Sequence, residues 1–588
     1  MNWFLDIWTS IPGRFTPFFS WIGELRDKNV LKADVIAGIT VALVLVPQSM
    51  AYAQLAGLPA YYGLYASFLP PMVAALFGSS RQLATGPVAM VSLMTATALA
   101  PIASQGGDGF LIYALILSLM VGVFQVVLGL LRLGVLVDLL SHPVVVGFTN
   151  AGAIIIATSQ LNKVFGVPKG AGEEHYMSVY NTVLTALEST HMPTLYMSIL
   201  AIGIMVVLKK YLPKVPNVLV AVVVTTVLAW YTGFAENGGK VVGDIPQGLP
   251  PITIPTAFDM DIVISLISYA IIISLVGFME AIAIAKAMAA KTKQRLDANQ
   301  ELVGQGLSNL TSGLFSGYPV SGSFSRSAVN INAGAITGFS SVVTGLVVAL
   351  TLLLLTPLLY HLPLATLASV IILAVANLVK FKPIVHAWKA EPHDGITAVI
   401  TFVLTLYIAP HIEYGILVGV VLSIILFVIR FMRPRVAELS RYEDGTMRDI
   451  TVFPELQVSD KIALIRFDGS LFFANASYFE FKVLEVMSKR PDLKYIILDG
   501  EGINQIDSSG EEVLGQVADR LKQNGVTLVV ARMKRQFMQA LRRTGLDQEI
   551  GEGNFFSRVT YALDYVWDSL GEEYDRTNCP LRRQSQST

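Results

Sequence analysis

Within the long apolar part of this chain lies the run Gly317-Tyr318-Pro319-Val320-Ser321-Gly322-Ser323-Phe324-Ser325-Arg326-Ser327. It is built from small polar residues, glycines, one proline and one arginine. Irregular backbone survives in hydrocarbon only where protein covers it or where it lines a wet cavity. An arginine at such depth costs roughly 2.5–3.5 kcal/mol on insertion scales, so it faces a pathway or a partner. The run is read here as half of an anion-binding site. On its own it equally fits a loop at a membrane surface with Arg326 solvated.

The surrounding composition supplies the membrane. Of 588 residues, 53% are hydrophobic and 14% charged, against about 25% charged in an ordinary soluble domain; mean hydropathy is +0.59. A net charge of −1 with no long basic run argues against nucleic acid as a partner. The one cysteine, Cys579, rules out an intramolecular disulfide framework and argues against a cysteine-rich metal site. Residues 1–32 hold Trp3, Trp8, Pro12 and Pro17 without a continuous apolar stretch. They read as a cytoplasmic amphipathic segment rather than a cleaved signal peptide. Charges sit in short loops up to about residue 432, then come in quick succession at Arg435, Glu438, Arg441, Glu443 and Asp444. That shift predicts a transmembrane domain over 33–434 and a cytoplasmic domain over 437–570. The tail, 571–588, is polar and predicted to be disordered.

Apolar segments are expected near 34–55, 62–78, 87–101, 110–131, 136–161, 193–212 and 216–233. A second set follows near 260–288, 299–316, 325–336, 338–356, 360–379, 394–410 and 413–431. Several fall short of the roughly 20 helical residues that cross about 30 Å of hydrocarbon. The third and the tenth are the clearest of these. Lys and Arg gather in alternate loops: Arg26, Lys28 and Lys32; Arg132; Lys209, Lys210 and Lys214; Lys286, Lys291, Lys293 and Arg295; Lys380, Lys382 and Lys389; Arg430, Arg433 and Arg435. The intervening loops lean acidic, with Lys163, Lys169 and Lys240 as exceptions. By the positive-inside rule, both ends of the domain are cytoplasmic.

The second half repeats the first. An apolar helix with Pro47-Gln48-Ser49 is followed about forty residues on by Ala84-Thr85-Gly86-Pro87-Val88-Ala89, which opens a short helix. An apolar helix with Phe278-Met279-Glu280-Ala281 is followed, as far on, by Ser321 to Arg326, which opens another. Seven segments per copy is an odd number, so the copies have opposite orientation. Inverted repeats place substrate near the midplane, between discontinuous helices whose N-termini face it. Such an N-terminus presents unpaired N–H groups that attract an anion. Hydroxyls of Thr85, Ser323 or Ser325 and the charge of Arg326 add to that attraction. Glu280, a lone carboxylate on an apolar helix, suits a proton relay, or else a structural ion pair with Arg326. Gln48 holds the matching place in the first half, and Lys286 is expected to snorkel to the interface.

In the C-terminal part, Lys461–Phe467, Tyr495–Asp499 and Val526–Ala531 read as strands alternating with helices near 474–489, 510–523 and 534–544, giving a small α/β sheet domain. Asp507-Ser508-Ser509-Gly510 fits a helix N-cap.

These residues also resemble a family. Tyr62-Gly63-Leu64-Tyr65-Ala66-Ser67-Phe68-Leu69-Pro70-Pro71, Gly78-Ser79-Ser80-Arg81, Ala84 to Ala89, Asp297-Ala298-Asn299-Gln300-Glu301-Leu302 and Ser323 to Arg326 occur in the order found in the sulfate permease (SulP) family of anion transporters. The resemblance implies an all-α polytopic domain of fourteen segments in a 7+7 inverted repeat, split into core and gate, followed by a small α/β STAS domain. It implies an anion held between the third and tenth segments, lined by Gln48, Ser323, Ser325 and Arg326, with Glu280 as the coupling residue; with the other residues of the two breaks, the expected substrate-binding set is Gln48, Thr85, Gly86, Ser323, Phe324, Ser325 and Arg326. It further implies a homodimer, and a Ser508/Ser509 region corresponding to a phosphorylatable serine of other STAS proteins.

The expected function is secondary active transport, with proton-coupled sulfate symport by alternating access as first reading, in a plasma or bacterial inner membrane. Symport or exchange of bicarbonate, chloride or a dicarboxylate, possible with sodium, is the alternative. A non-transporting sensor signalling through the STAS domain is the second. No nucleophile–base pair, metal cluster or phosphate loop appears, so neither enzyme activity nor a cofactor is expected.

Overall fold

The computed structural model describes residues 17–102, 108–135, 141–212, 215–255, 259–572 and 574–582. Most of the expected N-terminal segment, the start of the fifth expected span, Lys214 and the last six residues lie outside the described residues.

Each of the fourteen expected segments holds a helix. They are α1 (Lys28–Leu55), α2 (Leu69–Phe77), α3 (Ala89–Leu99), α4 (Asp108–Leu130), α5 (His142–Ser159), α6 (Met192–Tyr211) and α7 (Asn217–Tyr231), then α8 (Met260–Thr292), α9 (Ala298–Leu314), α10 (Phe324–Asn332), α11 (Phe339–Leu350), α12 (Leu364–Ala376), α13 (Pro392–Ile408) and α14 (Ile412–Met432). A short helix, Tyr61–Tyr65, precedes α2, and the connections after α5 and α12 add His175–Ser189 and Lys382–Ala390. Among the described residues, seven helices are long and apolar enough to cross a membrane, while α3, α7, α12 and α13 are shorter apolar helices. The segment ends follow local chemistry. Asp27 caps α1 by accepting the Asn29 N–H at 2.8 Å, and Asp297 caps α9 through the N–H groups of Asn299 and Gln300.

Packing sorts the helices into two groups. In one, α4 packs on α9 and α8, α9 on α2, α2 on α11 and α11 on α1. In the other, α5 packs on α13 and α12, and α6 on α7 and α12. α1 meets α12, and α3 meets α5, where the groups touch. Glycines allow the close approaches. A Cβ at Gly304 would fall 2.4 Å from Gly78 Cα, and one at Gly122 2.6 Å from the Leu310 nitrogen. Small residues at helix contacts do this work in membranes, where burial in lipid gives no hydrophobic drive.

Two two-residue strands, β1 (Thr85–Gly86) and β2 (Ser321–Gly322), pair antiparallel, Thr85 with Gly322 and Gly86 with Ser321. Thr85-Gly86 and Ser321-Gly322 are the matching dipeptides of the two halves. Their crossed pairing is what a two-fold axis between inverted repeats produces.

The C-terminal unit carries a six-stranded sheet in the order β4-β3-β5-β6-β7-β8. Its strands are β3 (Val436–Arg441), β4 (Met447–Asp449), β5 (Ile462–Phe467), β6 (Tyr495–Asp499), β7 (Thr527–Ala531) and β8 (Phe555–Phe556). β5 to β8 run parallel, and β3 is antiparallel to both its neighbours. Helices α15 (Ala476–Ser488), α16 (Ser508–Gln523), α17 (Arg535–Thr544), α18 (Leu546–Ile550) and α19 (Val559–Leu570) flank it. Asp507 accepts the Gly510 N–H at 2.8 Å and so caps α16. The tail departs from the expectation of disorder where it is described. Cys579 and Leu581 are buried in an apolar cluster with Val559, Leu563 and Val566. The Leu581 carbonyl accepts Arg441 Nε–H at 2.8 Å. Tyr574 packs against the same cluster, with its hydroxyl 3.0 Å from Ser459 Oγ.

Candidate anion site

The site begins with backbone. Pro87 and Pro319 flank the two strands, and a helix restarts after each: α3 behind Val88 and α10 behind Ser323, neither with a side chain capping its first turn. The first N–H groups of both helices are therefore left without intrahelical acceptors. The Ser323 N–H bonds the Ala84 carbonyl at 2.9 Å, and the Ala84 N–H bonds Ser327 Oγ at 2.9 Å. These bonds stitch the end of one break to the start of the other helix.

Arg326 occupies the first turn of α10 and is fully buried. Both circumstances disfavour a cation: burial removes its hydration, and the positive end of the helix dipole repels it. Its Nε, Nη1 and Nη2 all lack a hydrogen-bond partner in the protein. Tyr52, Tyr318 and Glu280 lie within its electrostatic reach, yet among the described residues none makes an ion pair with it. A buried guanidinium with open donors is suited to a planar or tetrahedral oxyanion, which accepts from the whole fork.

Other predicted residues surround it. Gly86, with φ +151°, lies against the guanidinium, and a Cβ there would also stand 3.6 Å from Leu45 Cδ1. Leu45, Gln48 and Tyr52 recur one turn apart on α1, so one face of that helix lines the break. Gln48 is buried with its Oε1 unpartnered. Glu280 is half-buried on α8. Its neighbourhood touches β2 directly: Ser321 Oγ donates to the Gly277 carbonyl at 2.6 Å, and a Cβ at Gly322 would meet Ala281 Cα at 3.1 Å. Ser323 is buried, with its Oγ 3.3 Å from Ser325 Oγ. Phe324 and Ser325 instead face outward, Phe324 being 54% exposed. Lys286 is exposed.

Sequence reasoning missed the residues that hold this arrangement. Asn309 of α9 donates from Nδ2 to the Val320 carbonyl at 3.1 Å and accepts the Val320 N–H at 2.8 Å. Glu301 is buried and accepts the N–H groups of Ser79 and Ser80, each at 2.9 Å. Gln305 Nε2 reaches Thr85 Oγ1 at 2.9 Å. The polar i, i+4, i+8 spacing of Glu301, Gln305 and Asn309 on one face of α9 was the available signal. Asp34 of α1 similarly accepts from Ile336 and Thr337.

Comparison with known proteins gives a consistent picture. Residues 31–401 match the Sulfate permease family and residues 453–562 the STAS domain. The chain is 36% identical to the probable sulfate transporter 4.2 of Arabidopsis thaliana, over 96% of this chain and 86% of that one. It is 32% identical to the high affinity sulfate transporter 2 of Stylosanthes hamata, over 93% and 85%. Its fold matches a structure of SLC26A9 with a TM-score of 0.86 at 22% identity, covering 96% and 94% of the two chains. The transmembrane domain of a cyanobacterial bicarbonate transporter, BicA, matches with a TM-score of 0.58 at 24% identity, covering 67% and 97%.

Proposed function

The chain belongs to the sulfate permease family, as an anion transporter with a C-terminal STAS domain, and from that membership we propose that it is a proton-coupled sulfate symporter. The observation that carries the anion site is Arg326: a buried guanidinium in a helix's first turn whose donors meet no protein acceptor. An oxyanion between α3 and α10 offsets both the lost hydration and the helix dipole. Gln48, Thr85, Gly86, Ser323 and Arg326 line the site on this reading. Phe324 and Ser325, on the open side of the same turn, form its mouth.

Sulfate is favoured because the relatives named above are described as sulfate transporters and cover nearly the whole chain. Glu280, beside β2 and within reach of the Arg326 charge, supplies the coupling proton. Ionised, it competes with the anion for Arg326; protonated, it leaves the guanidinium to the substrate. Binding of proton and anion then support each other, and such coupling is reciprocal. The two packing groups of helices provide bodies that can move against each other for alternating access. The Lys and Arg distribution supports cytoplasmic termini, and a homodimer follows from resemblance to the family.

The test is uptake of labelled sulfate, bicarbonate, chloride and fumarate into proteoliposomes, with proton and sodium gradients imposed separately. Sulfate accumulation driven by an inward proton gradient is expected. Accumulation driven by sodium alone, or preference for another anion, replaces this reading; no flux of any kind favours a sensor.

A further inference from the structure

We infer that Glu301 and Gln305, which lie outside both helix breaks, orient the Thr85 hydroxyl as a hydrogen-bond donor to the transported anion. The inference rests on the reading that the anion binds between α3 and α10.

The argument follows one chain of hydrogen bonds. Glu301 Oε2 accepts the Ser79 and Ser80 N–H groups at 2.9 Å each and the Ser79 hydroxyl at 3.2 Å. Its Oε1 receives Gln305 Nε2 at 3.1 Å. A carboxylate only accepts, so Gln305 must turn its NH2 group, not its carbonyl, toward Glu301. The same NH2 group reaches Thr85 Oγ1 at 2.9 Å. Thr85 is buried, and its oxygen is thereby committed as an acceptor from Gln305. A threonine hydroxyl carries one proton, and among the described residues no protein group accepts it. Thr85 opens the break that carries Gly86, the residue lying against the Arg326 guanidinium. The free O–H is thus available to an anion held there, as a donor complementing Arg326.

The isosteric substitution Glu301→Gln reverses the chain. Its carbonyl stays with Ser79 and Ser80, and its NH2 group then faces Gln305. Gln305 flips to present Oε1, and Thr85 gives its proton to Gln305 instead of the anion. Glu301 and Gln305 are therefore positioning residues, and the polarity of the relay, not only its presence, sets the affinity.

The experiment measures initial rates of sulfate uptake by the full chain in proteoliposomes. A hydrogen bond to a charged group is worth roughly tenfold or more in affinity. Thr85→Val and Glu301→Gln are each expected to raise KM about tenfold with maximal rate little changed. The double variant is expected to be no worse than either single one, and Thr85→Ser to restore KM. A wild-type KM in Thr85→Val overturns the placing of the anion beside Thr85. A raised KM in Thr85→Val with a wild-type KM in Glu301→Gln, or effects that multiply in the double variant, overturns the relay alone. If Glu301→Gln does not fold, Gln305→Met serves in its place: a KM rise that does not multiply with Thr85→Val supports the relay, and an unchanged KM or a multiplying effect overturns it.

Discussion

The Nη2 atom of Arg326 lies 3.3 Å from the point where a Cβ on Gly86 would begin. Gly86 also holds φ at +151°, in a region where side chains are strained by about 1–3 kcal/mol. Gly86→Ala therefore meets both a backbone penalty and the guanidinium. It is expected to lower the melting temperature by a few degrees and to remove most sulfate uptake. Uptake at the wild-type rate and affinity would separate Gly86 from the site.

Arg326→Ala tests the charge itself. The substitution removes a buried guanidinium that has no partner in the protein, so stability should hold or rise. Sulfate affinity should fall by roughly a hundredfold or more, the scale of a lost charge-assisted bidentate contact. Isothermal titration in detergent alongside a thermal scan distinguishes this pattern from general misfolding, which would lower both.

The spans were legible because apolar runs and Gly/Pro breaks are local signals, and the odd number of segments per repeat made the inversion legible as well. The pairing of Thr85 with Gly322 was not, since it joins residues from opposite halves through backbone bonds that no side-chain pattern announces. Glu301 was visible as part of a motif, but a lone glutamate near a helix start reads as an exposed cap residue. Only the fold shows it buried beneath Ser79 and Ser80. Strands β3, β4 and β8 escaped notice because they are short or charge-rich, and the docked tail because Cys579 and Leu581 are isolated among polar residues.

In the STAS domain, Asp499 at the end of β6 is fully buried and takes Arg532 through both carboxylate oxygens, with Nε–Oδ1 at 2.9 Å. Arg532 is itself about a third exposed. Arg532→Ala leaves a buried carboxylate short of donors and is expected to cost about 2–3 kcal/mol. Hydrogen exchange of the β6 and β7 amides should accelerate by more than tenfold, with transmembrane amides unaffected. Adding Asp499→Asn should recover part of the loss.

His175, in the connection between α5 and α6, donates its backbone N–H to the Ala409 carbonyl at 2.9 Å and sets Nε2 2.8 Å from Thr158 Oγ1. Burial, and secondarily Lys169, hold its pKa down to about 4 from the ordinary 6.5. The folded state thus binds fewer protons there than the unfolded one. Its stabilising contribution is complete above pH 6.5 and is lost as pH falls from 6.5 toward 4. The loss is at most about 3 kcal/mol, less where water reaches the ring. His175→Gln should show a smaller drop in melting temperature between pH 7 and pH 4.5 than the wild type. Equal drops would mean that this ring titrates normally.

Substitution at Glu280 tests proton coupling apart from anion binding. This residue follows Gly277, whose carbonyl holds Ser321 of β2, and precedes Ala281, which packs against Gly322. A change of charge at Glu280 is therefore felt at the break that starts α10. Glu280→Gln fixes the protonated form in shape and charge. Sulfate should still bind and exchange across the membrane, because the guanidinium no longer has a carboxylate competing for it. A proton gradient, however, should no longer drive accumulation. With no membrane potential, each proton carried with the sulfate makes a gradient of one pH unit worth about 1.4 kcal/mol, or at least a tenfold concentration ratio. The wild type should approach that ratio, and Glu280→Gln should stay near unity while sulfate–sulfate exchange continues. Accumulation that still follows the pH gradient in Glu280→Gln would assign the coupling proton to another group. Loss of exchange together with accumulation would instead make Glu280 a structural partner of Arg326, locking α8 to α10.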